Sequence, residues 1–146
     1  MGNVVKIENE VNNEVRTYED IFTMDNYRFL KWLKVTFPIK LLPTIKTIDD
    51  MEKAGDLMIE LSSQYSYISE ISSYAKVYCR SLKRLADKEE PETVTEYEDM
   101  VDKKEAIEAK MKAIHQAYCG ISRAITVKME NNNELRMTGN RYVNIA

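Results

Sequence analysis

Between Asp49 and about Lys128, apolar residues recur at every third or fourth position almost without interruption. The first half of the stripe is Met51, Ala54, Met58, Leu61, Tyr65, Ile68, Ser72, Ala75, Cys79, Leu82 and Ala86. The second is Tyr97, Met100, Lys104, Ile107, Met111, Ile114, Tyr118, Ile121 and Ile125. This spacing lays a single apolar band along one helix face, and such a band requires a partner helix. The interruption at Lys88–Glu92 is short, which favours antiparallel neighbours. The pattern therefore predicts two long helices, at about 49–88 and 92–130. Leu61, Tyr65, Ile68, Met111, Ile114 and Tyr118 should lie near their seam.

The boundary signals agree. Thr47 or Asp49 can cap the first long helix, with Asp50 or Glu52 three residues on. Pro91 suits a first helical position, and Thr93-x-x-Glu96 reads as a capping box for the second. Asn131–Asn133 reads as its end. Gly120 interrupts the second stripe at a cost of about 1 kcal/mol relative to alanine, and a close contact there is one reading of it. Upstream, Thr23–Asp25 can cap a shorter helix at about 24–36 that carries Tyr27, Phe29, Leu30, Trp32 and Leu33, with Phe37 just beyond. Pro38 stops it, and Pro43 keeps Ile39–Lys46 extended or loop-like. The expected fold is all-α: a long antiparallel helical hairpin, with the short aromatic N-terminal helix packed at its open end. Residues 1–16 are expected to be a flexible arm, 17–130 a single helical domain and 131–146 a C-terminal tail.

Composition narrows the classes. Four glycines and three prolines in 146 residues disfavour a many-turned β fold. No apolar run is long enough to span a bilayer, and the N-terminus lacks the basic and apolar regions of a signal peptide, so a cytoplasmic location and no membrane partner are expected. Cys79 and Cys119 are too few for a disulfide framework, and hairpin register sets 79 near 101, far from 119. His115 is the single histidine. With no metal-binding spacing, phosphate-binding loop or nucleophile–base arrangement, a non-enzymatic protein without a cofactor is expected.

Charge changes the picture more. The net charge is −3, but residues 24–46 carry +4, 87–108 carry −7 and 109–146 carry +4. A hairpin makes the acidic turn one pole and gathers the basic segments toward the other. On this reasoning Lys31, Lys34, Arg123 and Lys128 are the candidate nucleic-acid-binding residues. The conspicuous Arg80, Lys83 and Arg84 are set second, because register places them opposite 96–101 in the acidic pole. Tyr74, Tyr78, Glu96, Glu98 and Asp99 are the candidate protein-binding residues. The two tyrosines admit two readings: packing on the short N-terminal helix, or stacking bases beside the Arg80 cations. Leu57, Ile71, Tyr74, Tyr78 and Leu85 lie off the seam, which suggests a homo-oligomer.

The stretch Val101–Met137, VDKKEAIEAKMKAIHQAYCGISRAITVKMENNNELRM, resembles small helical phage proteins. It is similar to the UvsY-type recombination mediators, over about residues 57–137, with Asp102, Arg123 and Lys128 as the matching positions. That resemblance implies an oligomeric scaffold that loads a recombinase on single-stranded DNA. The alternative reading is a phage anti-defence protein that blocks a basic site on a protein target through its acidic pole.

Overall fold

The computed structural model describes residues 17–88 and 91–145, with 132–145 described by backbone alone. Its elements are α1 (Tyr18–Thr23), α2 (Asn26–Thr36), α3 (Ile48–Ala86) and α4 (Pro91–Ile145). Among the described residues there is no strand, and α3 and α4 form the expected antiparallel hairpin. Its register is marked by the Tyr65 and His115 rings, whose centroids lie 5.8 Å apart. The expected N-terminal arm, 1–16, lies outside the described residues.

Helix starts follow their caps. Thr47 closes a capping box on α3: its hydroxyl accepts from the Asp50 amide, and the Asp50 carboxylate accepts from the Thr47 amide. The Lys46 amide also donates to the Asp50 carboxylate, and these backbone bonds, the Lys46 one foremost, hold that carboxyl below its ordinary range. Asp25 caps α2 through the Arg28 amide at 2.9 Å. Thr17 and Asp20 make a second capping box that starts α1, a helix the apolar spacing did not reveal because it has only six residues. α4 begins at Pro91, so Thr93 lies buried inside its first turn and does not open the helix as expected. Proline's preset φ starts the helix earlier than the Thr93 signal.

The far end differs too. α4 continues through 131–145 instead of releasing a tail at the asparagines. Three asparagines cost about 0.7 kcal/mol each relative to alanine, which good helix formers on either side can offset, and no proline follows to break the helix. With 55 residues against 39 in α3, α4 runs past the start of its partner.

The seam is made by Ala54, Leu61, Ile68, Ala75, Cys79 and Leu82 of α3 against Met100, Ile107, Ile114 and Ile121 of α4, all buried. Met111 is half-buried, whereas Tyr65 and Tyr118 stand at the rim, each over a third exposed. Ile71, expected off the seam, is fully buried. It is covered by a third layer, the N-terminal segment, laid along one flank of the hairpin. Tyr18 stacks on Tyr74 with centroids 4.2 Å apart, Phe22 meets Tyr78 at 5.4 Å and Phe37 meets Tyr67 at 5.6 Å. Phe29 and Trp32 are buried between these contacts and the hairpin. The segment then runs back toward the open end, where Lys40 pairs with Glu60 at 2.9 Å and Leu42 abuts Gly120. A β-carbon at Gly120 would sit 3.3 Å from Leu42 Cδ1, so the glycine admits the close approach. The aromatic layer thus reaches well toward the turn rather than capping only the open end, because its rings find partners on the 67–78 flank of α3.

This layer also explains a shift in the α4 stripe. Lys103, not Lys104, is the buried lysine, 4% exposed. Burial pushes its ammonium below the ordinary lysine range, and the carboxylates of Asp99, Asp25 and Asp102 partly offset that.

Candidate functional site

One flank of the hairpin is covered by α1, α2 and the 37–47 connection. Among the described residues nothing covers the opposite flank. Two contiguous depressions there share Lys76. The first, of about 280 Å³, is lined by Lys76, Cys79, Arg80, Lys83, Tyr97 and Lys104. The second, of about 290 Å³, is lined by Tyr65, Ser72, Lys76, Glu108, Met111, Lys112 and His115. A third, lined by Gly55, Met58, Ile59, Ser62, Ser63, Ser66 and Tyr118, lies further toward the open end. From Lys83 to Ser62 the three span about 30 Å, at 1.5 Å per helical residue.

The charge along this groove is one-sided. Lys76, Arg80, Lys83, Lys104 and Lys112 line its turn-ward part, and Glu108 is the one carboxylate among the lining residues. Helix geometry explains the separation. Asp99 and Asp102 lie on the side of α4 that faces Lys103 and the α2 cap, away from Tyr97 and Lys104. Pairing 80–84 with 96–101 by register alone merges the two faces of α4 into one acidic pole. The tertiary structure separates them, and the Arg80 cluster emerges with cations and a tyrosine as neighbours. Half-buried Tyr97 and the exposed ring of Tyr65 give the cations aromatic surfaces on both sides of Lys76.

The residues favoured from the sequence fall elsewhere. Arg123 and Lys128 line a separate, more apolar groove on the covered flank, with Leu42, Ile45, Ala124 and Val127. Lys31 and Lys34 are exposed on α2. The α2 cap faces Lys103 and Leu42 faces Gly120, so the two lysines lie beside the middle of α4. They are about 20 Å short of Arg123 and Lys128 along the axis. The four therefore do not converge. The open end is also not uniformly basic, since Asp49, Asp50, Glu52 and Asp56 lie in the first turns of α3.

Tyr74 and Tyr78 meet Tyr18 and Phe22 of α1 rather than the aromatic helix at 24–36 expected to pack on them, and Tyr74 stays 48% exposed. Burial pushes the Tyr78 phenol up, with Glu19 and Glu96 adding to the effect. Glu96, Glu98 and Asp99 are exposed on the first turns of α4. Both cysteines are free, Cys79 buried and Cys119 exposed. Cys119 sits one turn after His115, with Sγ 3.5 Å from Nε2, an i, i+4 pair that reading His115 alone overlooked. No described helix is long and apolar enough to cross a membrane. No family model, curated protein or solved structure matches the chain.

Proposed function

We propose that the protein is a non-enzymatic accessory protein that holds single-stranded nucleic acid along the open α3–α4 groove. The observation that supports this reading most is the lining of the turn-ward depression: Lys76, Arg80, Lys83 and Lys104 around Tyr97, with no carboxylate among the described residues that line it. Cations that take phosphates beside rings that take bases bind single strands without reading sequence. Tyr65 and Tyr97 are the stacking rings, and Lys112 extends the phosphate track. The reading keeps the mediator-like role that the resemblance of residues 57–137 implies, with a recombinase as the protein partner. It moves the strand contacts from Lys31, Lys34, Arg123 and Lys128 to the groove.

The test is fluorescence anisotropy with a labelled single strand over a salt series. The quadruple variant Lys76→Glu, Arg80→Glu, Lys83→Glu, Lys104→Glu should abolish binding. If all four cations meet phosphates, the wild-type log–log salt slope should include about 3 units from them, at about 0.7 per phosphate for single strands. The corresponding reversal of Lys31, Lys34, Arg123 and Lys128 should leave most of the binding in place. A wild type that binds no strand at low salt ends this reading. The protein-target reading, through Glu96, Glu98 and Asp99, then takes its place.

A further inference from the structure

We infer that His115 and Cys119 form half of a tetrahedral zinc site that a second copy of this chain completes. The two side chains are one helical turn apart and exposed, with Sγ and Nε2 separated by 3.5 Å. In a tetrahedral site with Zn–S near 2.3 Å and Zn–N near 2.05 Å, the sulfur–nitrogen edge is about 3.6 Å. The pair therefore already has the bite of two zinc ligands, and a small rotation of either side chain closes it on the ion. The Tyr65 ring against His115 limits the imidazole's freedom and so favours this arrangement.

One chain cannot finish the site with soft ligands. His115 is the only histidine, and the only other cysteine, Cys79, is buried beside Tyr97. That is about 30 Å from Cys119 along the hairpin. Among the described residues no three His, Cys, Asp or Glu side chains gather as a metal set. Structural zinc takes four protein ligands. A two-fold contact between identical patches supplies two more ligands of the same kinds, because each residue meets its own counterpart across the axis. The ion would be held by two thiolates and two imidazoles, and each thiol would release its proton on binding. The inference does not depend on strand binding by the groove.

The test uses the full chain, reduced and stripped of metal, titrated with zinc while light scattering follows its mass. The expected result is a doubling of mass at one zinc per two chains, reversed by chelator. Cobalt in place of zinc should give the visible bands of a tetrahedral ion and a thiolate charge-transfer band. Cys119→Ser and His115→Gln, both at exposed positions, should keep the helical circular-dichroism signal and lose the doubling and the cobalt spectrum. Zinc bound without doubling, no response to either metal, or a cobalt spectrum retained by Cys119→Ser would each overturn the shared site.

Discussion

Replacing Ile71 with alanine tests whether the chain is a hairpin with a third layer or a bare pair of helices. On the hairpin alone Ile71 and Leu85 are equivalent, both lying off the seam. In the folded chain they differ: Ile71 is 0% exposed and Leu85 44%. Ile71 shares its flank with Tyr67, Tyr74 and Tyr78, whose rings meet Phe37, Tyr18 and Phe22. Deleting three buried carbons forfeits about 2.4 kcal/mol at about 0.8 kcal/mol each. A residual cavity of about 40 Å³ adds about 1 kcal/mol, at about 24 cal/mol per Å³. The expected loss is thus about 3.5 kcal/mol, or about 10 °C in Tm for a domain of this size. Leu85→Ala should lose about 1 kcal/mol or less, since much of that side chain already meets water. Urea unfolding followed by far-UV circular dichroism measures both. Equal and small losses would refute the third layer, and so the assignment of one flank as covered and the other as open.

Thr47→Ala removes the hydroxyl that accepts from the Asp50 amide, and should cost about 1 kcal/mol, with faster amide exchange confined to the first turn of α3. Lys103→Met tests the buried ammonium. Its folded-state pKa lies below the ordinary 10.5, so between that lowered value and 10.5 the unfolded chain binds more protons and stability rises with pH. The methionine variant removes this rise. Subtracting its pH–stability curve from the wild-type curve isolates the lysine from Tyr18, Tyr67 and Tyr78, whose phenols are pushed up, and a flat difference through the alkaline range would contradict the assignment.

The helical hairpin was legible in the order of residues alone. Apolar spacing of 3-4, sustained on both sides of Pro91, admits few other arrangements, and a short turn leaves antiparallel pairing as the simplest one. Caps at Thr47 and Asp25 were legible for the same reason: they are local, needing only a side chain and an amide three residues away. Of the proposed strand-binding groove, the Arg80 and Lys83 cations were legible, but their neighbours were not. Linear charge counts sum every residue in a window, but a helix distributes that window around its circumference. Asp99 and Lys104 are five residues apart in sequence and face different flanks. Which flank stays open depends on where Tyr18, Phe22 and Phe37 dock. These are contacts between residues some thirty to fifty-six positions apart, which no periodicity encodes. The same docking buried Ile71 and set Tyr74 and Tyr78 against Tyr18 and Phe22, while Tyr74 and Leu85 remain 48% and 44% exposed. The His115–Cys119 pair lies between these cases. Its i, i+4 spacing was present in the sequence, but the 3.5 Å separation depends on rotamers that only the folded helix sets.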